Sequence, residues 1–496
     1  MNFELLAFIL YFLAMLGIGV VFFLRSKVGG EKEYFLGGRS MGPWVTAMSA
    51  QASDMSAWLL MGLPGSILAF GMGQAWIGIG LAIGTALNWL LIARRLRRFS
   101  EAAGDAITLP QYLSGRFATR SRTLQVICAA VFLIFFTIYV ASSFVAGTSV
   151  FTTIFNIEKE LAMLIFALIL IIYTFLGGYK AVCWTDFFQG ILMLIALLAV
   201  PIMVVAVCDL DTAALSTVYT YNGTEYAFTP NPFAADWKEI ISGLAWGLGY
   251  FGMPHILVRF MAIEKPSMVK KSATVAIVWV ILSLGATILL AYFGRMLVAE
   301  ELLSNGQQSM VFITLARRLF PAFISGLLLS AIIAASMSTA DSQLLVASSS
   351  FTSDIYKPIF RKNATDKEIL WVGRIVVLIV AAIAYFIASS EGEGAQAIMN
   401  MVENAWAGFG SSFGPVVILS VFWRRFTYKG AIAGVVVGAV VDVAWLLLLS
   451  GSTGIYELLP GFAAGMIAEV IVTLLDKAPA KEVTDIFDAA TAPAED

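Results

Sequence analysis

The chain has 496 residues, 59% of them hydrophobic and 13% charged, against roughly 25% charged in a soluble globular domain, which it therefore is not. A net charge of −2 with no basic stripe excludes a nucleic-acid partner. One histidine, His255, and three scattered cysteines, Cys128, Cys183 and Cys208, match neither a metal-site spacing nor a disulfide framework.

Apolar runs near the 20-residue length that spans about 30 Å of hydrocarbon recur throughout. They predict about thirteen transmembrane helices, at 3–24, 43–69, 72–93, 124–155, 160–179, 186–208, 238–260, 271–297, 320–346, 367–389, 398–422, 428–450 and 455–475. The first run begins without a basic flank and is read as a membrane helix rather than a cleaved leader. The run at 124–155 is long for one span and is expected to tilt or bend. With the N-terminus outside and the C-terminus in the cytoplasm, 26 of the 31 Lys and Arg fall on the inner side, as the positive-inside rule requires. The segment 209–237 is then an outer loop, where Asn222-Gly223-Thr224 forms a glycosylation triplet too common to carry weight. The tail 477–496 is acidic and Ala-rich and reads as a short disordered cytoplasmic end. Gly80 and Gly84, and Gly430, Gly434 and Gly438, stand at the four-residue spacing of close helix contacts.

Two spans look interrupted. The second holds Ser49-Ala50-Gln51-Ala52-Ser53-Asp54-Met55-Ser56, then Gly62, Pro64 and Gly65; the seventh holds Gly247-Leu248-Gly249-Tyr250-Phe251-Gly252-Met253-Pro254. Broken helices are tolerated in a bilayer only where they line a cavity. These two lie five spans apart, an odd number, so a repeat of that length returns inverted. Interrupted helices at matching places in inverted halves point to a transporter binding site.

Asp54 is the sharpest residue. A carboxylate in mid-span costs about 2.5–3.5 kcal/mol, and with Ser49, Ser53 and Ser56 around it, it offers the oxygen-rich setting of a small cation. The competing reading is a carboxylate that caps a half-helix. On the ninth span, Ala335, Ser338, Thr339 and Ser342 share one face by their i, i+3, i+4, i+7 spacing, and present hydroxyls and an accessible carbonyl; the alternative is that these hydroxyls bond back to their own helix. Trp58, Tyr139, Trp246 and Tyr250 would attract an ammonium and shelter an apolar ring, while half-helix N-termini would receive a carboxylate. Together they suit a small zwitterion, although membrane Trp and Tyr also serve as interfacial or packing residues. Asp186 and Asp341 lie toward the cytoplasmic ends, as expected for an ion exit. Glu403 precedes a flexible run, and Asp442 and Glu469 are expected to pair within the last spans.

These residues resemble the sodium:solute symporter family over nearly the whole length. The resemblance rests on Phe35-Leu36-Gly37-Gly38-Arg39-Ser40-Met41-Gly42-Pro43, Ala52 to Ser56, Trp58 to Gly65, Gly177-Gly178-Tyr179, Trp184-Thr185-Asp186, Trp246 to His255 and Met337-Ser338-Thr339, in that order. It implies an all-α polytopic protein with a five-helix inverted-repeat core. The first repeat would cover 43–208 and the second 238–425, flanked by 1–42 (first helix and loop) and 426–476 (last two helices). It implies sodium held by the carbonyls of Ala52, Met55 and Ala335 and the hydroxyls of Ser338 and Thr339. Asp54 would serve sodium dependence, and Arg39 and Asp186 coupling or release; Asp341 joins them only through its own place toward the cytoplasmic end. The solute, L-proline by resemblance to the family's proline-carrying members, would meet Ser56, Trp58, Tyr139, Trp246, Tyr250 and Pro254. The implied activity is symport by alternating access across the inner cell membrane, with no covalent chemistry. Carriage of another amino acid, pantothenate or a sugar on the same fold is the nearest alternative, and a membrane ligand sensor a further one. Two departures stand out: Ala57 where such carriers have glycine, and Asp341 where they have an uncharged residue, which bears on ion stoichiometry.

Overall fold

The structure, a computed structural model, describes residues 3–25, 30–176, 178–390 and 395–493. Gly177 and residues 494–496, which enter the readings above, lie outside them, as do Lys27 and the side chain of Arg25, two of the cations in the inner-side count. Among the described residues, ten helices are long and apolar enough to cross a bilayer, eleven if a bent pair counts as one span. Three of the ten are α1 (Phe3–Arg25), the span that opens as α4 (Ala75–Leu87) and runs on through a wide turn to Ala102, and α5 (Thr123–Phe155). The bent pair is α8 (Trp237–Ala245), which runs on as a tight turn to Phe251, and α9 (Pro254–Ala262), set at 43° to it. The other predicted spans are Pro43–Phe70, divided into α2 (Pro43–Asp54) and α3 (Gly62–Phe70), and α6 (Lys159–Leu176).

The second half follows as α7 (Tyr179–Val207), which precedes the bent pair, then α10 (Val269–Leu297), α11 (Ala322–Ser349), α12 (Asp366–Ser390) and α13 (Ala395–Phe422). A hairpin of α14 (Tyr428–Leu448) and α15 (Leu458–Leu475) completes the membrane part. Most of these helices expose Leu, Ile, Val and Phe outward, as lipid contact requires. The described part of α11 is different: nearly every residue from Leu328 to Ser349 is buried, so it runs through the centre. There α2 packs on α7, α9, α10 and α11, while α13 packs on α3, α5 and the turn after α8.

Both interruptions have local causes. In the second span α2 ends at Asp54, Met55 leaves helical geometry, and Ser56 caps a tight turn, Ala57–Leu59, by accepting from the Trp58 amide at 3.4 Å. In the seventh, Pro254 cannot donate a helical hydrogen bond and so stands at the first position of a new helix. Gly84 and Gly247 touch backbone to backbone, which brings α4 against the break and gives the predicted small-residue contact a role in shaping the site.

The expectation for the tail needs correction. The described part of the tail is not disordered: α16 (Lys481–Thr491) buries Val483, Phe487 and Ala490 against the helix Arg94–Ala102, with Phe487 5.2 Å from Phe99. These positions form one helical stripe, which the acidic composition of the opposite face concealed. The outer loop contains a β-hairpin, Tyr219–Tyr221 against Thr224–Tyr226, turned by Asn222 and Gly223, both left-handed. Asn-Gly is the preferred pair for such a turn. The buried Arg295 donates to the carbonyls of Thr217, Tyr226 and Leu68, at 2.6, 2.9 and 3.0 Å, and ties this loop to α3.

Candidate functional site

The interruptions meet. The Tyr250 hydroxyl, in the break after α8, donates to Asp54 Oδ2 at the end of α2 over 2.5 Å, with both groups buried. The Trp58 ring lies 6.1 Å from that of Trp246, and Trp246 stacks on Tyr456 at 5.2 Å. Tyr139 on α5 is buried with its hydroxyl unpartnered, its ring 6.5 Å from His255. Ser56, Trp58, Tyr139, Trp246, Tyr250 and Pro254 are all buried. A cavity of about 520 Å³ reaches Trp246 from the predicted outer end, lined also by Glu239 and Glu403. Glu403 thus lines a cavity, although the Gly-rich run that follows it is not flexible but continuous helix within α13.

One layer toward the predicted inner side, α11 meets the end of α2. Ser338 Oγ donates to the Ala52 carbonyl at 2.7 Å and lies 3.3 Å from the Ala335 carbonyl. Thr339 Oγ1 is buried without a partner, so it does not bond back to its own helix. Two carbonyls and a hydroxyl already converge here, with a free hydroxyl one residue on. Such a neutral oxygen set can replace the water shell of a monovalent cation without binding it irreversibly.

Below this lies a group that the sequence reading only partly identified. Arg259 on α9 is buried and pairs with Asp186 Oδ2 on α7 at 3.1 Å. It also donates to Ser49 at 3.1 Å, to Ser342 at 2.5 Å and to the His255 carbonyl at 2.7 Å. Ser49 in turn donates to Asp186 at 2.6 Å, and Ser342 lies 3.3 Å from Asp341 Oδ1. One oxygen of each carboxylate, Asp186 Oδ1 and Asp341 Oδ2, is buried without a partner. Arg259 falls at the inner end of the predicted span 238–260 and counts among the 26 inner-side cations. A lone Arg inside the apolar run Ile256 to Ala262 was the available signal, since an intramembrane charge implies a partner.

Arg39 sits apart. Gly37, Gly38 and Arg39 are all left-handed, and this turn aims the buried guanidinium at Asp105 (2.8 Å), Ser100 (3.0 Å) and the carbonyls of Met261 and Ala106. Arg39 therefore clamps the loops beneath α9 and makes no pair with Asp186. Burial pushes the Asp105 carboxyl upward, but the Lys32 and Arg39 cations beside it outweigh that and hold it below its ordinary value. Of the remaining acids, Asp442 accepts from Ser411 at 3.0 Å, whereas Glu469, expected to pair, is buried with neither carboxylate oxygen partnered; it faces Gly434 across the α14–α15 hairpin.

Known proteins carry the same plan. The chain is 43% identical to a sodium/proline symporter of Haemophilus influenzae, over 98% of this chain and 97% of the relative. It is 42% identical to the high-affinity proline transporter PutP of Bacillus subtilis, over 96% and 98%. Among solved structures, a Na+-coupled sialic acid symporter in a substrate-bound outward-open state superposes with a TM-score of 0.76 at 20% identity, covering 97% of this chain and 99% of that one. That likeness establishes the broken-helix fold. The model of the sodium:solute symporter family matches residues 34–438, and with relatives this similar along nearly the full length, the chain belongs to that family.

Proposed function

We propose that this protein is a sodium-coupled symporter that imports L-proline by alternating access. The observation that carries this reading is the hydrogen bond from Tyr250 to Asp54, which joins the aromatic chamber of one interrupted span to the ion-side end of the other. Sodium, carried as co-substrate, would sit between α2 and α11 on the carbonyls of Ala52, Met55 and Ala335 and the hydroxyls of Ser338 and Thr339. The Ser338 hydrogen, which now points at Ala52, would turn away so that both oxygens face the ion. The solute would lie among Ser56, Trp58, Tyr139, Trp246, Tyr250 and Pro254, its ammonium over the aromatic faces and its carboxylate toward the half-helix ends.

Ion binding would fix the end of α2, and through Asp54 the orientation of Tyr250, so that the chamber accepts solute once sodium is present. Release would pass Asp186 and Asp341 on the cytoplasmic side, with Arg39 bracing the loops there. The names of the relatives support proline as the solute, and the distribution of basic residues supports an N-terminus outside and a C-terminus in the cytoplasm. The test is uptake of labelled proline into proteoliposomes under an inward sodium gradient. Accumulation that disappears when choline replaces sodium at fixed pH is the expected result. No accumulation with sodium would remove the solute assignment, and uptake that persists in choline would indicate protons as the driving ion.

A further inference from the structure

A break inside a membrane span frees backbone carbonyls that hydrocarbon cannot solvate, so each needs a partner from elsewhere in the protein. In the turn after α8, two of these partners are side chains from other spans. Trp406 Nε1 on α13 donates to the Trp246 carbonyl at 2.8 Å, and Asn88 Nδ2, where α4 passes into a wide turn, donates to the Tyr250 carbonyl at 3.0 Å. The two carbonyls belong to the two aromatic residues of this break assigned to the solute chamber.

The Trp406 ring is fully buried and shaped to this segment. It lies nearly parallel to Trp246, with centroids 6.4 Å apart, and edge-on to Tyr250 at 5.0 Å. Gly249 makes that approach possible, because a Cβ there would collide with the indole nitrogen. The tight turn is thus held by its backbone at both ends, from α4 and from α13. We infer that Trp406 and Asn88 are positioning residues for the solute: they act through Trp246 and Tyr250 by fixing the interrupted segment in its binding shape. As a statement about solute this rests on the proline reading; as a statement about the segment it does not.

Trp406→Phe keeps a ring and removes the N–H, Asn88→Leu removes the other donor at similar volume, and Asn88→Gln keeps a donor. Uptake in proteoliposomes should show KM for proline raised about tenfold in the first two, with Vmax held within about twofold, and a partial return in Asn88→Gln. A second readout needs no solute. With Leu248→Cys as a reporter, half-buried in the same turn, a water-soluble maleimide should label faster once either donor is removed. Unchanged KM and unchanged labelling, with normal amounts of protein in the membrane, would overturn the inference. If Trp406→Phe fails to reach the membrane, Asn88→Leu decides alone on the same readouts, since it leaves every ring in place. If the wild-type chain takes up no proline but labelling still accelerates in the variants, the solute assignment falls and the positioning role stands.

Discussion

Tyr250 and Asp54 are 196 positions apart in sequence, yet the phenol of one donates to the carboxylate of the other over 2.5 Å. Asp54 is the last residue of α2, and Tyr250 lies in the tight turn where α8 has stopped being α-helical. The contact therefore records how the two interruptions are set against each other, and any movement of one half of the bundle about the other must stretch or carry it.

Tyr250→Phe removes this bond but keeps the ring. Removing the donor from a buried acceptor costs about 1–3 kcal/mol, so the variant should raise both the proline KM and the sodium concentration for half-maximal uptake by about tenfold. Asp54→Asn keeps an acceptor and loses the charge, and should affect sodium activation more than proline affinity. Initial rates across a sodium titration separate the two. If Tyr250→Phe moved proline affinity alone, the carboxylate would not link ion to solute.

Ser338→Ala and Thr339→Ala should weaken sodium activation more than Trp246→Phe does. Ser338 already touches the Ala52 carbonyl, and Thr339 carries a buried hydroxyl with no partner, whereas Trp246 offers only its ring face. Each hydroxyl removed takes one oxygen from a small neutral set, for an expected loss of about tenfold or more in apparent sodium affinity. The reverse ranking, with Trp246→Phe the more sodium-sensitive, would place the ion elsewhere.

At the loops beneath α9, Asp105 should make stability depend on acid. Its folded carboxyl lies below the ordinary value because Lys32 and Arg39 stand beside it. A depressed folded value means that the contribution is full above the unfolded carboxylate pKa of about 3.9 and is lost as pH falls through the folded one. The carboxylate is half-exposed, so the gain is at most about 1 kcal/mol. Melting of the detergent-solubilised protein should show a constant gap between the parent and Asp105→Asn from pH 7 to about pH 5, closing below about pH 4. A gap that widened on acidification would mean the sign is wrong.

Much of this architecture could be read from residue pattern. The two breaks were visible because Gly and Pro interrupt apolar runs that also carry Asp54 or paired aromatics, and the hydroxyl face of α11 was visible from helical spacing alone. What escaped depended on tertiary partners. Asn88 and Trp406 look like ordinary interior residues until the carbonyls they serve are located. Arg259, at the end of the predicted span 238–260, counts as one more inner-side cation until its partner Asp186, 73 positions earlier, is found beside it. The helical tail was lost for a different reason: composition was weighed where period should have been, and Val483, Phe487 and Ala490 carry the period.

The last prediction concerns the buried pair of Arg259 and Asp186. At 3.1 Å, with both side chains essentially inaccessible, the pair is held by Ser49 and Ser342 as well. Removing one partner leaves an uncompensated buried charge, which costs about 3–5 kcal/mol, so Asp186→Ala should lower the melting temperature sharply. Replacing both charges, as in Asp186→Leu with Arg259→Met, should recover most of that stability, because an apolar pair of similar volume replaces an ion pair at little net cost. Transport should not recover with it if the free oxygens of Asp186 and Asp341 form part of the ion exit. Thermal melts and sodium-driven uptake on the same three proteins decide the matter. A double variant that is stable and transports like the parent would reduce the pair to a structural tie between α7 and α9.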